Sequence, residues 1–333
     1  MTDRRTVLAG LVSLPLLSTR GMAVPVARIE RIDSALDRIV DPSSPIEILA
    51  NGFRWAEGPV WVPGQDCLIF TDPPANIAWR WKQGEGAKPF LSPAGYQGKV
   101  PPGVREAGLN GLAIDAKGTL VAADSGTRAI VRIDLHTRRR TILADRFQGK
   151  RFNSPNDLCI APSGTIYFTD PPYGLTDGDT SPLRELDHNG LYRLTSDGDV
   201  TLLDGQHRRP NGVALSPDGR TLYLALSDEE RPEVVAYDLD ANGLPVGQRQ
   251  FRDMRPQHVE GRPGLPDGIK VAPDGHVFAT GPGGVHVCSA QGALLGIIAT
   301  GKAIANCCID AKGGYLYLTS SAMLARVALK PAG

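Results

Sequence analysis

Residues 211–226 read NGVALSPDGRTLYLAL, and residues 267–281 read DGIKVAPDGHVFATG. Each stretch has a polar residue before a glycine, a short apolar strand, a Pro-Asp-Gly turn, and a second strand rich in apolar residues. In both stretches the turn glycine lies eight positions after the leading polar residue. Two copies of one layout at a fixed offset indicate an internal repeat, and this repeat decides the fold.

The layout occurs six times along the chain. The leading residues are Glu57, Asn110, Asn156, Asn211, Asp267 and Asn306. Five units keep a glycine eight positions later, at Gly118, Gly164, Gly219, Gly275 and Gly314, and in the first unit Gly64 comes one position early. A third strand follows in every unit and a fourth in most. The sequence therefore predicts an all-β fold, a six-bladed β-propeller with four-stranded blades.

The ends of the repeat array predict how the ring closes. The last unit stops after its third strand, whereas an unassigned strand, PIEILA at 45–50, precedes the first unit. Donating this N-terminal strand to the last blade would complete that blade and remove an open sheet edge. We therefore expect a single propeller domain over residues 45–330, preceded by an N-terminal extension over residues 28–44. A pair of β-sandwiches would leave the fixed offset unexplained.

Residues 1–27 have the layout of an export signal. Arg4 and Arg5 precede the apolar run VLAGLVSLPLL, and small residues follow at Ala23 and Ala27. This is the pattern of a twin-arginine-type signal, and the apolar run is too short to span a bilayer as an anchor. We predict removal of the signal, no membrane attachment afterwards, and a periplasmic or secreted protein.

Composition limits the range of partners. The 333 residues carry 36 basic and 36 acidic side chains, so the charge indicates neither a nucleic-acid nor a membrane-surface partner. The five cysteines have no metal-type spacing. They are expected to be small buried residues, although oxidation of one pair stays open, as does the oligomeric state.

The leading residues are expected to meet at one end of the central channel, because equivalent positions on the innermost strands form a ring. This ring has two carboxylates, four amides, and no histidine or thiolate. Two acids in a pocket of low dielectric repel each other unless a cation lies between them. Oxygen ligands favour one hard divalent ion, Ca²⁺ before Mg²⁺, Mn²⁺ or Zn²⁺. We assign this site to Glu57, Asn156, Asn211 and Asp267. For Asn110 and Asn306 a purely structural role in a turn or a strand fits the sequence as well as a role in the site.

The motifs WAEGPVW, RFNSPNDL, TDPPYGL, RPNGVALSPDG and LPDGIKV resemble those of the gluconolactonase/regucalcin, or senescence marker protein, family of six-bladed propeller hydrolases. The likeness covers about residues 45–330 and is greatest to the bacterial gluconolactonase branch. It implies that Glu57, Asn156, Asn211 and Asp267 bind one divalent ion and that Asp267 is also the catalytic acid/base. Arg151 is similar to a substrate-contacting arginine, although it lies farther from Asn156 than in the animal members.

The resemblance implies a metal-dependent hydrolase that opens a small sugar lactone to the aldonic acid. We expect Asn110 and Asn306 to hydrogen-bond the substrate. Two alternatives stay open: a metal-dependent esterase or phosphotriesterase, and a non-catalytic propeller that serves as a binding platform. The sequence has no G-x-S-x-G elbow, so a serine nucleophile is not indicated.

The connection over residues 92–109, SPAGYQGKVPPGVREAGL, is long and rich in glycine and proline. A loop of this length is often a lid or a substrate wall. Tyr96, Lys99 and Arg105 would then reach toward a polyol. A surface excursion is the other interpretation, and the sequence does not choose between the two.

Overall fold

The computed structural model of the chain describes residues 27–331. The predicted export signal lies outside these residues, except for Ala27. Two strands precede the first blade, β1 (Arg28–Arg31) and β2 (Glu47–Asn51), and the first two blades contain, in blade 1, β3 (Glu57–Val62), β4 (Cys67–Asp72), β5 (Ile77–Lys82) and β6 (Gly86–Leu91), and in blade 2, β7 (Leu109–Ile114), β8 (Leu120–Asp124), β9 (Ala129–Ile133) and β10 (Arg140–Ala144). After the hairpin β11 (Arg146–Phe147) and β12 (Lys150–Arg151) come blade 3, with β13 (Leu158–Ile160), β14 (Ile166–Asp170), β15 (Gly190–Leu194) and β16 (Val200–Asp204), and blade 4, with β17 (Pro210–Leu215), β18 (Thr221–Leu226), β19 (Glu233–Leu239) and β20 (Pro245–Asp253). The last two blades contain, in blade 5, β21 (Ile269–Val271), β22 (Val277–Gly281), β23 (Gly284–Cys288) and β24 (Leu294–Ala299), and in blade 6, β25 (Asn306–Ile309), β26 (Tyr315–Ser320) and β27 (Met323–Ala328).

Each blade is an antiparallel sheet, and the four strands of each of blades 1–4 follow the chain from the central channel outward. The prediction of an all-β, six-bladed β-propeller is confirmed. Helical structure in residues 27–331 is short and consists of one α-helix, Arg255–Val259, and the 3₁₀ turns Ser34–Arg38, Pro63–Gln65, Pro73–Ala75 and Gly178–Thr180. No helix within residues 27–331 is long and apolar enough to cross a membrane.

The ring closes through the N-terminal strand, as predicted. Strand β2 pairs antiparallel with β27 and forms the outermost strand of blade 6, with Glu47 opposite Arg326. The Arg326 Nε donates to a Glu47 carboxylate oxygen at 2.9 Å across this junction. The last blade therefore contains strands from both ends of the described chain.

Residues 28–44, the extension, add a feature that the repeat did not indicate. Strand β1 pairs antiparallel with β24, so blade 5 has five strands instead of four. The following 3₁₀ turn buries Leu36 completely. A Cβ on Gly296 would lie 2.5 Å from a Leu36 methyl group, which shows how closely the extension packs on blade 5.

The turn glycines confirm the repeat register in four units, with a shift in the first and in the last. In blade 1 the left-handed turn residue is Asp66 (φ 49°), two positions after the predicted Gly64. Gly118, Gly164, Gly219 and Gly275 have left-handed φ values of 72°, 85°, 70° and 88°, a region that favours glycine. In blade 6 the left-handed residue is Gly313 (φ 67°), one position before the predicted Gly314. The pair of consecutive glycines lets the chain turn earlier there, and both backbone N–H groups bond Asp310.

The hydrophobic core is divided among the six junctions between neighbouring blades. Alternate residues of one strand face opposite junctions, so both faces of the strand are buried. In β4, for example, Ile69 packs toward blade 2 and Phe70 toward blade 6. All five cysteines are free, and four of them are buried, in agreement with their expected packing role.

Candidate functional site

The six leading residues lie at or next to the N-terminal ends of the innermost strands, all at the same end of the channel. Five of them are buried, with exposed fractions of 5% or less, and Asp267 is half-buried. Because the innermost strands of all six blades start at the same end, the repeat brings these polar side chains from distant parts of the chain into one ring.

Glycines that follow the leading residues allow this convergence. A Cβ on Gly58 would lie 1.9 Å from the Asn110 carbonyl oxygen, and one on Gly212 would lie 2.1 Å from that of Asp267. The Gly212 N–H donates to this Asp267 oxygen at 3.1 Å. These glycines therefore permit close contact with the next blade. Gly111, which follows Asn110, lies inside strand β7, so Asn110 is not part of a turn.

Two carboxylates of the ring are close enough to repel each other. Burial raises the pKa of Glu57, and the nearby Asp157 and Glu106 carboxylates raise it further. Burial also raises the pKa of Asp267 well above its ordinary value, and the Glu57 carboxylate is the next largest cause. Glu57 accepts hydrogen bonds from the Gly58 N–H at 2.7 Å and from the Asn306 amide at 3.4 Å, which only partly offset this cost.

The amide oxygens make the ring suitable for a cation. Asn211 donates its Nδ2 to the Ser227 hydroxyl at 2.8 Å, while its buried Oδ1 has no hydrogen-bond partner among the described residues. A buried acceptor without a donor is unusual and calls for an explanation. Within residues 27–331 no group of three or more His, Cys, Asp or Glu side chains is arranged to hold a metal. A metal site here therefore depends on amide oxygens in addition to Glu57 and Asp267, and this all-oxygen donor set fits a hard divalent ion.

The ring forms the floor of a cavity of about 960 Å³. Glu57, Asn110, Asn156 and Asp267 line it directly. Asn211 and Asn306 each donate a hydrogen bond to a residue that lines the cavity, Ser227 and Glu57 respectively. The walls come from loops and include Trp55, Pro74, Arg105, Glu106, Tyr173, Arg208, Arg209, Asp228, Glu229, Glu230 and Leu265.

Arg151 does not lie with the other predicted site residues. It belongs to the hairpin strand β12, and its Nη2 donates to the Thr127 carbonyl oxygen at 2.6 Å. It is absent from the residues that line the cavity. The structure thus brings together the six leading residues but not the arginine.

The chain matches a known family model over residues 55–322, described as the SMP-30/Gluconolactonase/LRE-like region. It belongs to this family. The gluconolactonase of Zymomonas mobilis is 43% identical over 312 residues, which cover 92% of this chain and 88% of that protein. A pentonolactonase of Haloferax volcanii is 26% identical over 70% of this chain and 68% of its own length.

A solved gluconolactonase structure from Xanthomonas campestris has the same fold. It aligns with a TM-score of 0.79 at 30% identity, covering 92% of this chain and 97% of that one. The family resemblance noted on the sequence motifs is therefore confirmed, and so is the propeller architecture that it implied.

The C-terminal part of the loop over residues 92–109 forms part of the cavity wall. Arg105 and Glu106 line the cavity, and their backbone N–H groups both donate to the Gly174 carbonyl oxygen, at 2.8 and 3.2 Å. Val104 forms a β-bridge with Leu175. These contacts attach the loop to blade 3, which favours the substrate-wall interpretation over a surface excursion.

Sequence reasoning missed several residues of the site. Glu106 and Tyr173 enter from loops, and loop positions depend on contacts with other blades. Lys270 lies on β21 beneath the ring, with its Nζ 3.2 Å from Asn306 Oδ1 and 4.0 Å from Asp157 Oδ2. The sequence could have indicated Lys270, because it is the one charged residue at its position in the repeat. The equivalent residues of the other five units are apolar or small, namely Val60, Ala113, Cys159, Ala214 and Ile309.

Proposed function

We propose that this protein is a hydrolase that opens a sugar lactone of the gluconolactone type to the corresponding aldonic acid. The observation that carries the proposal is the ring of two carboxylates and several amides on the floor of a cavity, in a chain 43% identical to a gluconolactonase. The cavity is wide enough for a monosaccharide.

We also propose that Glu57, Asn156, Asn211 and Asp267 hold one divalent ion, Ca²⁺ before Mg²⁺, Mn²⁺ or Zn²⁺. The repulsion between the carboxylates and the unpartnered Asn211 oxygen support this assignment. When bound, such an ion supplies Lewis-acid polarisation of a carbonyl and lowers the pKa of a water molecule. The absence of nitrogen and sulfur ligands from the ring is the reason to place Ca²⁺ before Zn²⁺.

Asp267 is the proposed acid/base. It is half-buried and lines the cavity, so it can reach both a bound substrate and water. It takes the proton of the attacking water and returns it to the ring oxygen as the lactone opens. Glu57 is buried more deeply and already accepts two N–H groups. We therefore assign its carboxylate to binding the divalent ion and not to proton transfer.

Two ring amides, Asn110 and Asn156, line the cavity. Because Asn156 is assigned to the ion, Asn110 is the one available to bind a sugar hydroxyl. The Asn306 side chain instead bonds Glu57 on one side and Lys270 on the other. We therefore assign Asn306 to support of Glu57 and Asn110 to the substrate. Arg105, Arg208 and Arg209 line the cavity and replace Arg151 as the arginines that can reach a ligand.

The layout of residues 1–27 supports one further proposal, that the enzyme acts after export, in the periplasm or outside the cell. Fractionation of cells that express the full chain tests it. The double variant Arg4→Lys, Arg5→Lys should remain inside the cell, whereas equal export of this variant would contradict a twin-arginine signal.

A pH-stat assay of glucono-1,5-lactone opening tests the main proposal. Protein stripped with a chelator is assayed with Ca²⁺, Mg²⁺, Mn²⁺ or Zn²⁺ added back singly, and spontaneous opening is subtracted. Activity that returns with one divalent ion supports a metal-dependent lactonase. Full activity without metal contradicts the role of the ion, and no activity with any ion redirects the assay to aryl esters and phosphotriesters.

A further inference from the structure

The phenol of Tyr173 lines the cavity but has no hydrogen-bond partner in the part of the chain that the structure describes. Its Oη is buried, and it is the only tyrosine Oη in residues 27–331 that is buried without a partner. Other tyrosines of the blades are bonded: Tyr167 donates to the Gly243 carbonyl oxygen at 2.9 Å, and Tyr192 lies 2.8 Å from His188 Nε2. An unpartnered buried hydroxyl is costly and therefore calls for a reason.

The loop that carries Tyr173 is held on two sides. The Ser154 hydroxyl donates to the Pro171 carbonyl oxygen at 2.6 Å and accepts from the Gly174 N–H at 2.8 Å. A Cβ on Gly174 would lie 2.7 Å from Ser154 Cβ. On the other side, the Arg105 N–H donates to the Gly174 carbonyl oxygen. The phenol is thus presented by a well-supported turn, which lowers the cost of ordering it for a ligand.

The Ser227 hydroxyl, a polar group near the phenol, already has two partners. The Ser227 hydroxyl donates to the Pro266 carbonyl oxygen and accepts from Asn211 Nδ2. A tyrosine phenol carries its proton at neutral pH. Tyr173 can therefore act as an O–H donor in the cavity that the proposed acid/base, Asp267, also lines.

We infer that Tyr173 is a substrate-contacting residue whose O–H donates a hydrogen bond to a lactone oxygen that gains negative charge as the ring opens. This inference rests on the proposed lactonase function. Such a bond strengthens from the neutral lactone to the charged transition state, because a donor aimed at developing charge stabilises it more than the ground state. No proton leaves the phenol, so the step needs no further reactant.

The substitution Tyr173→Phe removes only the hydroxyl and tests the inference. We expect kcat/KM for glucono-1,5-lactone to fall about 10- to 100-fold, by the same factor at each pH between about 6 and 9 because the phenol does not titrate there. The dissociation constant for Ca²⁺ from calorimetry and the melting temperature should match those of the wild type. The control Tyr167→Phe, which removes a phenol outside the cavity, should leave kcat/KM within about twofold.

The results separate the inference from the function on which it rests. An active wild type with a Tyr173→Phe variant within about twofold of it in kcat/KM overturns the inference alone. A wild type without lactone hydrolysis under any ion overturns the proposed function and the inference together. If the variant loses Ca²⁺ affinity in proportion to its activity, Tyr173 supports the ion site and the substrate contact is wrong.

Discussion

The Asn306 amide joins the last blade to the first by donating to Glu57 Oε2 at 3.4 Å. Its orientation is fixed from the other side, because Asn306 Oδ1 accepts from Lys270 Nζ at 3.2 Å and from the Cys307 N–H at 2.9 Å. The amide nitrogen must therefore face Glu57. A carboxylate that accepts a directed N–H is held in one rotamer, so this network positions one of the two acids of the ring.

Replacement of Asn306 by leucine should weaken ion binding. The variant keeps the side-chain volume but removes one donor from Glu57 and one of the acceptors of Lys270, which keeps the Ile269 carbonyl oxygen at 3.1 Å. We expect the Ca²⁺ affinity to fall about tenfold or more and the free energy of unfolding to fall by about 1–3 kcal/mol. Calorimetry and urea unfolding measure the two effects. Asn242→Leu, in an exposed turn, is the control, and equal ion affinity in both variants would show that Asn306 does not support Glu57.

Asp267→Asn should separate ion binding from turnover. The amide keeps an oxygen for the ion but cannot accept a proton, so we expect kcat to fall about 10²- to 10⁴-fold, whereas Ca²⁺ still binds with lower affinity. Asp228→Asn changes another acid that lines the same cavity and should keep activity within about threefold. Turnover retained by Asp267→Asn would remove Asp267 from proton transfer.

Removal of strand β2 should prevent cooperative folding. A chain that begins at residue 53 lacks the outermost strand of blade 6 and leaves β27 with an open edge. A chain that begins at residue 34 loses only β1, the fifth strand of blade 5, and should still unfold in one transition with a lower midpoint. Circular dichroism during urea titration distinguishes the two. A stable, active chain from residue 53 would refute closure by β2.

Gly212→Ala should force blades 4 and 5 apart next to the ring, because the new Cβ would lie 2.1 Å from the Asp267 carbonyl oxygen. We expect the free energy of unfolding to fall by about 1–3 kcal/mol, together with weaker Ca²⁺ binding. Gly64→Ala is the matched control, since nothing lies within 4 Å of its added Cβ. The change there should stay within about 0.5 kcal/mol. Equal effects at the two positions would contradict the close contact.

His286 should make stability depend on pH. It is completely buried, and its Nε2–H donates to the Pro282 carbonyl oxygen at 3.0 Å. Burial lowers its pKa from 6.5 to about 4, and the Arg252 charge adds to this shift. The unfolded chain therefore binds a proton below pH 6.5 that the folded protein binds only near pH 4. The free energy of unfolding should fall by about 3 kcal/mol as the pH decreases through this window.

Urea unfolding between about pH 4 and 7.5 measures this contribution of His286. The variant His286→Gln should lose most of the slope that is specific to the histidine. The exposed His136, replaced by glutamine in the control, should leave the slope unchanged. An identical pH dependence in wild type and His286→Gln would show that other groups cause the acid loss of stability.

The repeat made the fold and the ring predictable from the sequence. Leading residues such as Asn211 and Asp267 recur at one offset from a turn glycine, and the period of the repeat places them at the same end of the channel. The role of the strand at 45–50 was predictable for the same reason. The repeat gives the last blade only three strands, and the strand before the first unit supplies the fourth. The ion preference followed from residue types alone, and it stays a prediction.

The tertiary structure decided what surrounds the ring. Arg151 stands close to Asn156 in sequence, yet the β12 hairpin directs it to Thr127 and away from the cavity. Tyr173 and Glu106, from two different loops, line that cavity instead, because the Gly174 carbonyl oxygen bonds the 92–109 loop to blade 3. The sequence by itself determined the positions of the residues that recur once in every repeat. Which loop residues meet them depends on contacts between segments far apart in the chain, and no local pattern encodes those contacts.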